Sequence, residues 1–325
     1  MSMNKTNNRD DLVDALRFVF SFFVVVIHVP MLGGSLLAPI YRCAVPFFYV
    51  VTGYYIYNST NFRHRLRESS KKCLLLFFRY FFVITLFSLI LHKYLHQNVS
   101  VSLNDLFYLL CGNGSIKSFD ILYIDGMQLG IYVLWFLLSE CYALYFLSLL
   151  HGTLMESHIF IGAGILFFFC YCIDLFGTPP RLLYLSVPFL TLGFVIKKYL
   201  SSISRYCTGR NFIISALLLA CEFIVYRHYS LKTECFLFIP ITLSMVFVYA
   251  INYNENKLGE AFNIIINKCA ILGRNYSLHI YIYHRLVFVI MVLVLGTSIF
   301  VVGAPLCFAL TFGVFAVKKM LWKKL

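Results

Sequence analysis

Long apolar segments alternate with short polar connections along most of the chain, and this pattern predicts its architecture. The apolar segments are continuous and near the ~20 residues that an α-helix needs to cross a bilayer, whereas a membrane barrel would show short, alternating segments. We therefore predict an all-α, polytopic membrane protein with about ten transmembrane helices. The predicted spans are residues 12–31, 41–58, 73–92, 131–150, 158–176, 182–197, 211–228, 234–252, 272–295 and 299–317.

The composition supports this prediction, because 61% of the 325 residues are hydrophobic and the mean hydropathy is +0.82. A soluble domain has no use for so much apolar surface. The eleven cysteines lie mostly within apolar segments and form no paired CxxC motif, so neither a metal site nor a disulfide framework is expected. We expect one membrane domain over residues 1–325, with a core of about 9–318 and no separate soluble domain.

Lysine and arginine are concentrated after every second span, which predicts the orientation of the chain in the membrane. Cytoplasmic connections of membrane proteins carry an excess of these residues. The same excess accounts for the net charge of +13, so no nucleic-acid partner is needed to explain it. Both termini are therefore expected to be cytoplasmic. The longest outside connection, 93–130, contains an apolar piece at 106–110, and a lid and a plain solvated loop both remain open.

The first span carries a polar stripe on an otherwise apolar helix. Arg17 and His28 are eleven residues apart, about three helical turns or 16 Å, so both project from one face. Ser21 falls on that face and Asp14 borders it. Polar side chains inside a membrane usually face protein or a water-filled cavity, although Asp14, Arg17 and His28 could also simply mark the two membrane interfaces.

A dense basic segment follows the second span. Arg63, Arg65 and Arg67, with Lys71 and Lys72, exceed what membrane orientation requires. Arginine binds phosphates through two parallel hydrogen bonds, so a nucleotide-bearing cofactor is one candidate partner. Anionic lipid headgroups are the simpler one.

Two carboxylates are predicted within the hydrocarbon region. Glu140 follows Trp135 by five residues in the fourth span, and Glu222 lies in the seventh. Glu140 could orient a histidine or pair with Arg17, and a purely structural buried pair remains an alternative.

The ninth span has a further polar face. Ser277, Tyr281 and His284 recur at spacings of four and three residues, which places them on one side of a helix. His284 and Arg285 lie inside an apolar stretch and call for a polar cavity.

Four motifs, in this order, resemble the acyltransferase-3 family of integral membrane acyltransferases, over about residues 9–318. They are Asp14-Ala-Leu-Arg17 with His28, Val45-Pro-Phe-Phe-Tyr-Val-Val-Thr-Gly53, Leu134-Trp-Phe-Leu137 and Tyr276 to His284. Arg17 and His28 match the family's functional signature. The family's Arg-x-x-Arg pair has no direct equivalent, because the arginines here are two residues apart. The proline that often follows the ninth-span histidine is also missing.

The resemblance implies transfer of an acyl group, most often acetyl, from cytoplasmic acyl-CoA to a hydroxyl of a cell-envelope glycan such as an exopolysaccharide or O-antigen. The expected partners are acyl-CoA, with acetyl-CoA as the favoured form, a glycan or lipid-linked glycan, and the lipids of the plasma (inner) membrane. His28 is the candidate base or transient acyl carrier, because histidine is the usual side chain for proton transfer near neutral pH. Arg17 is the candidate donor contact or partner of a buried carboxylate.

Two other functions fit the residues. A transporter or flippase for a lipid-linked sugar could use Glu140, Glu222, His284 and Arg285 as a path, although no internal repeat supports it. A non-catalytic sensor or assembly subunit leaves the polar stripe of the first span unexplained. The oligomeric state is left open by the sequence.

Overall fold

The computed structural model describes residues 10–29, 37–57, 60–94, 123–124, 127–128, 134–151, 153–176, 185–229, 236–253, 260–295 and 303–322. Twelve helices occur within these ranges. They are α1 (Asp11–His28), α2 (Ala38–Tyr41), α3 (Ala44–Ile56), α4 (Phe62–Tyr94), α5 (Trp135–Leu150), α6 (Glu156–Phe176), α7 (Ser186–Lys198), α8 (Leu200–Ser204), α9 (Gly209–His228), α10 (Ile239–Ile251), α11 (Glu260–Leu295) and α12 (Gly303–Trp322).

The predicted helical fold is confirmed, with one small addition. Two-residue strands β1 (Tyr123–Ile124) and β2 (Met127–Gln128) pair antiparallel inside the predicted outside connection. The rest of that connection, including the apolar piece at 106–110, falls outside the described residues. Each of the ten predicted spans overlaps one helix, and α2 and α8 are short additions.

Membrane character is seen most clearly in α9 and α11, which are long and apolar enough to cross a bilayer. Four further helices, α5, α6, α10 and α12, contain shorter apolar stretches. Large apolar side chains such as Leu75, Phe82, Ile161 and Ile224 are exposed on the outer faces of α4, α6 and α9. An exposed apolar surface of this extent suits contact with lipid rather than water.

Residues 63–72 were predicted to form a connection between the second and third spans. That prediction is wrong, because these residues form the first turns of the 33-residue helix α4. The reason is local: arginine, lysine, glutamate and leucine favour helix, and no glycine or proline interrupts this segment. Phe62, Leu66 and Ser70 recur every four residues and are buried, so the basic segment is also held by packing. Helix α11 likewise begins twelve residues before the predicted span, at Glu260.

The helices pack in pairs around a core rich in aromatic side chains. Helix α1 lies against α11, α3 against α7 and α4 against α5. Gly53 allows a close approach of α3 to α7, because a Cβ there would lie 2.1 Å from the Leu190 carbonyl oxygen. Phe47 and Tyr49, from the same helix, are among the largest fully buried side chains. Helix α1 contacts both α3 and α11, and the rings of Phe48, Phe136 and Tyr281 join α3, α5 and α11.

Candidate active site

Helix α1 places its polar stripe against other helices rather than against lipid. Asp14 and Ser21 are buried, and Arg17 and His28 are half-buried. The Ser21 hydroxyl donates to the Phe18 carbonyl oxygen at 2.6 Å, so it is satisfied within its own helix. The other three polar residues interact with side chains or backbone outside α1, which agrees with the interior-facing prediction.

An ionic cluster, formed by Asp11, Asp14, Arg17 and Arg274, joins the beginning of α1 to α11. Arg17 Nη1 donates to Asp14 Oδ1 at 3.1 Å. Arg274 Nη1 lies 2.9 Å from Asp11 Oδ1 and 3.5 Å from Asp14 Oδ2. Two carboxylates and two guanidinium groups compensate one another here, which reduces the cost of partly buried charge. No role for Arg274 in a site was predicted from the sequence.

Glu140 connects Arg17 to two further helices. Its buried carboxyl group is hydrogen-bonded to Thr52 of α3 and Cys73 of α4, and Arg17 is its charged neighbour. Among the contacts described for Glu140 there is no histidine. Arg17 is thus an electrostatic neighbour of Glu140, whereas the ion pair described for Arg17 is with Asp14. Thr52 lies in the second of the four quoted motifs but was not singled out as a site residue, and Cys73 carried no signal because ordinary apolar helices contain cysteine.

The end of α1 forms a histidine pair, His28 with His284 of α11. Their ring centroids are 5.3 Å apart with 27° between the planes, which is a stacked arrangement. Arg285 donates a short hydrogen bond to the His28 carbonyl oxygen. Because Asp14 meets Arg274 near one end and His28 meets Arg285 near the other, α1 and α11 run parallel.

The predicted polar face of α11 is confirmed as a buried face: Ser277, Tyr281 and His284 are all buried. The Tyr281 ring lies 4.8 Å from that of Phe136 and 6.4 Å from that of His284. Trp135 begins α5 and packs, half-buried, against the same core. Trp135 and Ser277 thus belong to the wall around the polar groups.

The three arginines of the basic segment are exposed on the first turns of α4. Arg63 and Arg67 are one turn apart on one flank, and Arg65 lies on the other flank at about 100° per residue. No carboxylate lies within ion-pair distance of these arginines among the described residues. By contrast, Lys71 contacts Glu68 at 3.1 Å, and this hydrogen bond holds the pKa of the Glu68 carboxyl below its usual value. Among the described residues, the positive charge of the segment that no ion pair compensates therefore lies on the three arginines and Lys72.

A second polar cluster, unforeseen from the sequence, surrounds Glu156 at the start of α6. Its carboxylate contacts Lys198, accepts a hydrogen bond from the Tyr57 hydroxyl at 3.2 Å and lies 3.2 Å from His151 Nε2. The His151 ring lies 4.6 Å from that of Phe62, the first residue of α4. These contacts tie the ends of α3, α5 and α7 to the beginning of the basic segment.

Glu222 lies apart from these groups and has a structural role. Its carboxylate accepts hydrogen bonds from the backbone N–H groups of Leu237 and Phe238, at 2.6 and 3.1 Å, and from the Tyr171 hydroxyl at 3.0 Å. These donors precede α10, whose first turn needs such acceptors. A carboxylate committed to three donors is poorly suited to the proton path that a transporter would need.

Comparison with known proteins agrees with this arrangement. The acyltransferase-3 family, described as an acyltransferase domain, matches residues 10–318. Comparison with curated proteins gives no match, and comparison with solved structures gives none either. The match covers nearly the whole chain, including the ionic cluster, Glu140 and the histidine pair. The chain therefore belongs to the acyltransferase-3 family, and it is a membrane acyltransferase that transfers groups other than aminoacyl groups.

Proposed function

We propose that this acyltransferase moves an acyl group, acetyl first among the candidates, from cytoplasmic acyl-CoA to a hydroxyl of a cell-envelope glycan. The observation that carries the proposal is α1, which presents Arg17 in the ionic cluster near one end, with Glu140 as a charged neighbour, and His28 stacked on His284 near the other. One helix thereby connects a charged cluster to a titratable base.

In the proposed reaction, His28 takes the proton of the acceptor hydroxyl as the oxygen attacks the carbonyl carbon of the thioester. A C–O bond forms, the C–S bond breaks, and CoA leaves as a thiol after it receives a proton. Arg17 supplies positive charge, which is compensated by Asp14 and by the neighbouring Glu140. Because Arg17 lies about three helical turns, roughly 16 Å, from His28, its proposed role is to contact the donor away from the reacting carbonyl group.

We further propose ten crossings of the inner membrane, both termini in the cytoplasm and a single membrane domain. The parallel course of α1 and α11 supports this topology, because the first and ninth of ten crossings must run in the same direction. The basic segment of α4 then lies in the cytoplasm, where acyl-CoA is found. The flexible pantetheine arm would let the thioester enter the membrane domain while the phosphates stay at the arginines.

The function is tested by two measurements. Mass spectrometry of envelope glycans should show one acyl group per repeating unit in cells with the gene and none in cells without it. Purified protein in liposomes should transfer label from radioactive acetyl-CoA to glycan extracted from the deletion strain. Identical glycans in the two strains, together with no transfer in vitro, would overturn the proposal.

Donor binding gives a separate prediction. Replacing Arg63, Arg65 and Arg67 by glutamine should raise the Kd for acetyl-CoA at least about 10- to 100-fold, because the loss of even one charge-assisted hydrogen bond costs roughly 1.5–3 kcal/mol. Isothermal titration on the detergent-solubilised protein measures this Kd. A matched control is Arg205→Gln with Arg210→Gln, two exposed cations after another span.

The control should leave the Kd unchanged. An unchanged Kd in the triple variant would instead assign the arginines to lipid headgroups. Membrane orientation must be the same in all three proteins, and labelling of a Ser69→Cys variant from outside intact cells checks this. Strong labelling there would contradict the cytoplasmic placement itself.

A further inference from the structure

His284 has a buried ring nitrogen without a hydrogen-bond partner. The residue is fully buried, and its Nε2 atom has no partner among the residues that the structure describes. A buried polar atom left unsatisfied costs free energy, so such an atom beside a candidate base calls for an explanation. A substrate group that binds only during the reaction would provide one.

The hydrogen bonds of the other ring nitrogen determine what Nε2 can do. His284 Nδ1 lies 2.7 Å from the Tyr281 carbonyl oxygen and 3.1 Å from that of Ile280. Carbonyl oxygens only accept, so Nδ1 must carry the hydrogen. In the neutral ring Nε2 is then an acceptor, and its missing partner is a donor such as a hydroxyl.

The surroundings hold this ring beside His28. The Cys307 thiol donates to the His284 carbonyl oxygen at 2.9 Å, and Arg285 anchors the His28 carbonyl oxygen. The two rings are stacked, with 5.3 Å between their centroids, so the two side chains lie next to each other. Two neighbouring oxygens of one substrate could therefore meet one ring each.

We propose that His284 binds the glycan substrate. Its Nε2 accepts a hydrogen bond from a second hydroxyl of the glycan, next to the hydroxyl that His28 deprotonates. The acceptor is then a sugar unit with two adjacent hydroxyls. This inference rests on the proposed function. A hydroxyl has one hydrogen to donate, so the reacting hydroxyl gives its proton to His28 and the neighbouring hydroxyl donates to His284.

The test distinguishes an effect on binding of the glycan from an effect on the reaction of acetyl-CoA. His284→Phe keeps a flat ring for stacking but removes the nitrogen that accepts the hydrogen bond. His284→Gln keeps a hydrogen-bond acceptor near the position of Nε2. Each protein is assayed in liposomes for transfer from labelled acetyl-CoA to glycan extracted from the deletion strain, and for acetyl-CoA hydrolysis without glycan.

In His284→Phe, transfer should fall about 10- to 100-fold, mainly through a higher KM for the glycan, while hydrolysis stays within about twofold. His284→Gln should recover most of the transfer. His279→Phe, the same substitution on α11 where the ring packs on Phe315, serves as the matched control and should behave as the wild type.

Normal transfer by His284→Phe would overturn the proposal and leave His284 as a packing residue. An equal loss of transfer and hydrolysis would overturn it too, because His284 would then act on the donor or the fold. If His284→Phe is not recovered as folded protein, His284→Met gives the same comparison with a flexible apolar side chain. Wild-type protein that transfers nothing would count against the proposed function instead.

Discussion

Replacing His28 by asparagine should reduce acyl transfer about 100- to 10,000-fold, the usual contribution of a general base. Asparagine keeps a polar side chain of similar size but has no nitrogen that takes a proton at neutral pH. The initial rate of label transfer from acetyl-CoA to extracted glycan, measured in liposomes, gives the size of the effect.

Protein yield and thermal stability should change little in this variant. His28 is the last residue of α1 and is half-buried, and the contact from Arg285 reaches its backbone carbonyl oxygen, which asparagine retains. His158→Asn, an exposed histidine on α6, is the control and should keep full activity. Near-normal transfer by His28→Asn would remove His28 from the mechanism and direct attention to His284.

Replacing Gly273 by alanine should destabilise the protein and abolish most of its activity. A Cβ at this position would lie 1.8 Å from the Asp14 carbonyl oxygen, so the backbones of α1 and α11 would have to move apart. Overpacking a well-packed core costs typically about 1–3 kcal/mol, and contact with backbone leaves no side chain that could rotate away.

Activity should fall with stability, because both the ionic cluster and the histidine pair are formed between these two helices. Thermal unfolding in detergent and the transfer assay measure the two effects on one preparation. Gly313→Ala on α12 is the matched control, since a Cβ there meets nothing within 4 Å. A Gly273→Ala protein with the wild-type melting temperature and activity would contradict this account of the packing.

Local patterns in the sequence predicted much of this structure. The ten apolar segments predicted ten helices, because each segment must by itself satisfy its backbone hydrogen bonds and keep its apolar side chains away from water. The spacing of Ser277, Tyr281 and His284 predicted their common buried face for the same local reason. The helix boundaries were predicted less accurately than the helices themselves. The basic segment of α4, for example, is helical where hydropathy alone suggested a connection.

The partners of the polar residues were decided only by the tertiary structure. The sequence placed Arg17 and His28 on one face of a helix, but the stacking of His28 on His284 joins residues 256 positions apart. The contact of Glu140 with Thr52 and Cys73 joins three helices in the same way. Helical periodicity states which side chains share a face, whereas the choice of a facing helix depends on how all the helices pack together. For that reason the sequence determined which groups are available for acyl transfer, and the fold determined which of them meet.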